Sequence, residues 1–288
     1  MRNIQNFSIV FTFLSLWLAI YMPDSIEEYL ACFFILSVGL LHGANDIKII
    51  RTVFADKNLN SFWTILLYIA VVILGTAMFY LVPAFSLVLF ILISGYHFGE
   101  QHFHYIDGGS RYIKALWFLS YGCSVIFLLL YTNSKESIPI IHQICGAVLN
   151  VTTLLYCLLV SVIFFTFCFA YYNKRIESPI RELFYFVVFF LVFKMAILIW
   201  AFAIYFVLWH SIPSLIDQIK FLSKEINKKT LFQYVKSSFL YWMVSVIGLF
   251  IFFNFLVNET DKFFAIFFSF LAAITFPHVI VMTKIFKH

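Results

Sequence analysis

The chain has 288 residues, of which 63% are hydrophobic, 21% aromatic and only 11% charged, with a formal charge of +5 and a mean hydropathy of +0.97. A soluble domain carries about 45–50% apolar and about 25% charged residues, so this composition excludes a soluble enzyme, with or without a single anchor. The 19 Lys and Arg and 14 Asp and Glu are spread over the connections and form no basic face, which excludes a nucleic-acid footprint.

In chain order, apolar runs occupy residues 7–22, 29–50, 61–82, 84–104, 112–131, 147–172, 183–210, 234–257 and 263–285. Runs of about 20 residues match the hydrocarbon core of a bilayer. None shows barrel-strand alternation, and backbone groups in lipid must be bonded within their own segment, so the runs are predicted to be helices. The first run follows Arg2, as in a signal peptide, but Tyr21, Met22, Pro23 and Asp24 stand where a small-residue cleavage motif belongs. It is therefore read as a span. The five cysteines, Cys32, Cys123, Cys145, Cys157 and Cys168, lack CxxC spacing and are expected to be structural thiols. Residues 214–236 carry Lys220, Lys224, Lys228 and Lys229 with Ile216, Ile219 and Ile226 between them, the pattern of an interfacial amphipathic helix or of a solvated loop.

The positive-inside rule places Arg2, then Lys48, Arg51 and Lys57, then Arg111 and Lys114, and then Lys174, Arg175 and Arg181 on the cytoplasmic side. Strict alternation then puts the lysine-rich stretch outside, against the same rule. Either one run fails to cross, near a broken helix at 139–146, or that stretch is an exception. The expectation is an all-α integral membrane protein, a polytopic bundle of about eight transmembrane helices, seven to nine, forming one domain over 1–288.

Ionisable residues inside spans are costly and mark function. Here they are histidines: His42, His97, His210 and His278 sit within or end four different apolar runs. A single such residue is ordinarily a hydrogen-bonded core residue; four on separate helices make a nitrogen-donor site for iron, zinc or copper. Asp46 follows His42 by four residues and Glu100 follows His97 by three, spacings that put a carboxylate on the imidazole's helical face, where it would fix the ring tautomer. Ser214 bears the same relation to His210. His102 and His104 sit at the interface or extend the site, and His142 and His288 are expected to be solvated.

The segments Leu41-His42-Gly43-Ala44-Asn45-Asp46, Tyr96-His97-Phe98-Gly99-Glu100-Gln101, Trp209-His210-Ser211 and Pro277-His278 resemble, in order and spacing, the motifs of the Brp/Blh family of membrane β-carotene 15,15′-dioxygenases. The resemblance runs from the second apolar run to the last. It implies a non-haem Fe(2+) enzyme that uses O2 to split the central double bond of β-carotene into two retinals, with iron ligands at His42, His97 and His210. Where many members carry a further histidine one turn after the third motif, this chain has Ser214, so either His278 completes the ligand set or three histidines and water do. Met282 and Thr283 stand where the last motif ends in an acidic residue.

Such chemistry suits a hydrocarbon substrate that enters from the bilayer between helices, with aromatic faces stabilising electron-poor intermediates along the polyene. The resemblance further implies a multi-pass protein of the cell membrane and a retinal-binding rhodopsin as consumer of the product. The competing readings are a lipid desaturase or hydroxylase, which needs clustered histidine boxes that this chain lacks, and a transporter or haem-binding protein with intramembrane histidines.

Overall fold

A computed structural model describes residues 2–54, 60–106, 108–255 and 263–286. His288 and Lys57, both used above, lie outside the described residues. In chain order the helices are α1 (Arg2–Tyr21), α2 (Asp24–Phe34), α3 (Asp46–Val53), α4 (Ser61–Leu81), α5 (Pro83–Phe103), α6 (Arg111–Thr132), α7 (Ser134–Cys145), α8 (Val151–Tyr172), α9 (Pro179–Met195), α10 (Leu198–Ile204), α11 (Ile212–Ser223), α12 (Lys228–Phe255) and α13 (Phe263–Ile285). Two π-helical segments, Ile35–Gly39 and Tyr205–Ser211, interrupt them. No strand occurs among the described residues. Among the described residues, eight helices are long and apolar enough to cross a membrane, so the chain is an all-helical polytopic membrane protein, as its composition requires.

Three predicted elements differ from the structure. The run at 29–50 is no continuous helix: α2 ends at Phe34, the π segment follows, and His42–Asn45 form a turn before α3. The run at 183–210 breaks where Ala196 and Ile197 turn extended, with ψ 153° and 156°. The N–H of Leu198 is taken up by the Glu136 carboxylate at 3.1 Å, and a helix start inside an apolar run needs such an acceptor. The stretch 214–236 is neither a separate interfacial helix nor a long loop. α11 continues to Ser223, Lys224 caps it in the left-handed region at φ 60°, and Asn227 opens α12 by accepting from the Thr230 N–H while its own N–H bonds the Thr230 hydroxyl. Near 139–146 the chain forms α7, whose 12 residues rise only about 18 Å, too short to cross.

The helices fall into two compact units, each gathered from separated stretches of chain: Met1–Phe34, Ile91–His142 and Ala147–His210 in the first, and Ile35–Phe90, Gln143–Gly146 and Ser211–His288 in the second. In the first, α6 packs along α8 and against α9, and α10 lies on α2. Its core is aromatic, with Phe103, Trp117, Tyr121, Tyr172, Phe189 and Phe193 all nearly inaccessible. In the second, α13 packs along α4 and touches α3 and α12. A Cβ on Gly75 of α4 would lie 2.9 Å from the Phe276 ring and 3.4 Å from the Ala273 backbone, so only glycine permits that approach.

Candidate metal centre

In the first unit, His97 lies midway between Gly95 and Gly99 on α5. A Cβ at Gly99 would stand 2.0 Å from the Phe118 carbonyl oxygen, and one at Gly122 of α6 would stand 2.0 Å from the Gly95 carbonyl. The two backbones touch, as at small-xxx-small crossings in membranes. That contact fixes the rotation of α5 and so the direction of His97. The His97 ring meets that of His210 edge-to-face, centroids 4.8 Å apart at 80°, and both are buried. Phe98 lies against His210 at 4.7 Å and Phe206 stacks on it at 5.6 Å.

His210 belongs to the second π segment. One extra residue in a turn shifts every later side chain around the axis and loosens the backbone ladder. α1 holds this turn: the Ser8 hydroxyl donates to the Leu208 carbonyl at 2.6 Å and Trp209 Nε1 donates to the Thr12 hydroxyl at 2.9 Å. The third bond runs from Trp200 Nε1 to the Ser15 carbonyl. α1 thus braces the histidine-bearing turn.

Glu100 is buried and its Oε1 accepts from the Tyr96 hydroxyl at 3.2 Å. The His102 ring stacks on Tyr121 at 4.8 Å and its Nε2 pairs with Glu182 at 2.7 Å, tying α5 to α9. His104 donates to the Gln101 carbonyl, and His142 is exposed.

In the second unit, the turn at His42–Asn45 is pinned from both flanks. Asn45 donates to the Ser238 hydroxyl and the Tyr234 carbonyl and accepts from Ser237. The Tyr234 hydroxyl lies 3.1 Å from the His42 carbonyl and 2.7 Å from Gln218 Oε1, and Gln218 donates to Ser214. Ser214 is thereby a fully buried hydrogen-bond acceptor in this chain.

His42 and His278 form a second edge-to-face pair, centroids 4.8 Å apart at 89°. Asp46 receives His278 Nδ1–H at 3.0 Å and the Tyr68 hydroxyl at 2.8 Å. The expected His42–Asp46 pairing is replaced by this one, because residues 42–45 are a turn and helical i,i+4 geometry does not apply. His42 Nδ1–H instead donates to the Gly39 carbonyl, the last residue of the first π segment. With Nδ1 protonated in both rings, Nε2 is the lone-pair atom of each. That is the arrangement of a ligating imidazole held by a carboxylate or carbonyl. Buried imidazoles without thiolate suit zinc, copper and iron alike, so this donor set is one that fits iron.

Long apolar helices carrying paired, buried imidazoles place the chain in the class of polytopic membrane proteins with histidines inside the helical bundle. The sequence matches the family model "Beta-carotene 15,15'-dioxygenase" over residues 33–286, and the chain belongs to that family. Searches of curated proteins and of solved structures returned no significant match.

Proposed function

We propose that the protein is an iron-dependent dioxygenase that cleaves β-carotene at its central 15,15′ double bond. The observation that carries this reading is the family match over nearly the whole chain, together with a buried imidazole at every histidine of the four motifs. The reaction balances without a co-reductant: one C=C bond and one O2 are consumed, and two C=O bonds of two retinals are formed. We assign His42, His97, His210 and His278 as the iron ligands. Bound ferrous iron supplies the means to activate O2.

The chain's own residues do the rest. Asp46 and the Gly39 carbonyl hold His278 and His42 with Nε2 ready to donate its lone pair, and the Tyr68 hydroxyl holds Asp46 in place. Phe98 and Phe206 present ring faces and edges beside His210, where they favour electron-poor character in a polyene and exclude water. The substrate enters from the bilayer, and the cell membrane is the proposed location. A retinal-binding rhodopsin is the proposed recipient of the product.

The test is expression in a bacterium that accumulates β-carotene, followed by chromatography of the extracted pigments. Retinal should appear with the wild type and not with His97→Ala. Folded, iron-loaded protein that leaves β-carotene untouched would move the assignment to another lipid substrate. Folded protein that takes up no iron would favour a transporter or a haem carrier.

A further inference from the structure

In the second unit, a cavity of about 300 Å³ opens between α12, α13 and the first π segment. Eight side chains line it, all aliphatic or Phe, and none carries a polar atom. Its floor is closed by Phe267 and Ile266, 1% and 9% exposed, whereas Phe250, also lining it, is 68% exposed on the outer surface. One wall is Leu36, whose carbonyl accepts from Trp242 Nε1 at 2.7 Å. Leu36 belongs to the same π segment whose Gly39 carbonyl holds His42.

We propose that this cavity seats one cyclic apolar end group of the carotenoid, which rests on the dioxygenase reading above. Three physical arguments converge. The first is volume: an apolar cavity of about 150 Å³ holds benzene, and a trimethylcyclohexenyl ring, half as large again in carbon count and bearing projecting methyls, requires roughly the space present. The second is reach. Phe267 precedes His278 by eleven residues on one helix, a rise of roughly 16 Å. Extended, a C40 polyene is about as long as the hydrocarbon core is thick, roughly 30 Å, so a seated ring brings the middle of the chain level with His278. The cavity then acts as a ruler that selects the central double bond. The third is polarity: a ring hydroxyl would be desolvated there with no partner, so unsubstituted rings are favoured over hydroxylated ones.

The test uses the full-length protein stripped of iron with a chelator and held in detergent, so that binding is read apart from turnover. Retained carotenoid is measured by visible absorbance after gel filtration, for β-carotene, its 3,3′-dihydroxy derivative and the acyclic C40 polyene. The wild type should hold β-carotene at least tenfold tighter than either of the others. Leu249 of α12 is one of the lining side chains, and Leu249→Trp, which fills the cavity, should lose that affinity at least tenfold. Leu249→Gln, a smaller change that offers a polar partner, should narrow the gap between ring and hydroxylated ring. Unchanged affinity and unchanged preference in both variants would overturn the seat, as would loss of a labelled phospholipid with β-carotene binding intact, which would make the cavity a lipid site. Normal cleavage with indifferent variants removes the seat and leaves the dioxygenase standing. Variant-sensitive ring binding without any cleavage removes the dioxygenase and leaves the seat.

Discussion

Among single residues, Asp46 carries the clearest expectation. It receives His278 and Tyr68 at once, and losing such an outer partner ordinarily costs about 10–100-fold in metal affinity. Asp46→Asn should therefore weaken iron binding by that factor, measured by metal titration of the stripped protein, while Tyr68→Phe should weaken it less. Iron affinity equal to wild type in Asp46→Asn would deny the His278–Asp46 pair any part in ligation. Glu100 and His97 separate differently: His97→Ala should abolish iron content, whereas Glu100→Gln, which keeps a partner for Tyr96, should lower turnover more than it lowers iron. At position 214 the serine is already engaged by Gln218. Ser214→Ala should accordingly cost little iron compared with His278→Ala.

Helices and turns bear the next set of consequences. The α5–α6 crossing tolerates no side chain at Gly99, and forcing one in costs typically about 1–3 kcal/mol in a packed interior. Gly99→Ala should lower the thermal midpoint and the iron content together. Gly248→Ala on α12, where a Cβ meets nothing within 4 Å, should leave both unchanged; equal effects from the two would remove the crossing from the argument. Much of this was legible beforehand. The apolar runs that became α4, α6, α8 and α13 needed only hydropathy, and the four histidines stood out because charge is scarce. Gly95-xxx-Gly99 and the Ser8, Thr12, Ser15 stripe on α1 were also there to be read, as a close-approach motif and as a polar face on an otherwise apolar helix. What hydropathy does not register is backbone geometry. It averages across a turn such as His42–Asn45 or a break such as Ala196–Ile197, since the groups that satisfy those backbones, Tyr234 and Glu136, lie far away in the chain. For the same reason spacing alone pairs Asp46 with His42 and not with His278: the i,i+4 rule presupposes a helix that the glycine-containing turn does not form.

For the whole molecule, acidity enters through the start of α10. Burial raises the Glu27 carboxyl above its ordinary value near 4.5; a hydrogen bond from the Ile197 N–H opposes the rise, and Asp24 and Glu136 add to it. Burial likewise raises Glu136, against the bond from Leu198. A carboxyl raised on folding favours the folded state most at and below the ordinary carboxylate range, and that contribution is lost as pH climbs from about 4.5 through the raised value. Thermal midpoints in detergent should therefore fall with rising pH over that window, and Glu27→Gln should flatten the slope; an unaltered slope in the variant would assign it to other groups. The bond between Ser8 and Leu208 spans 200 residues of sequence. At the ribosome's pace of about 5–20 residues per second, Ser8 is made some 10–40 s before its acceptor. During that interval the Ser8 and Thr12 hydroxyls on α1 wait without their partners Leu208 and Trp209, so α1 must be held by lipid or an insertase until the far end of the first unit is made.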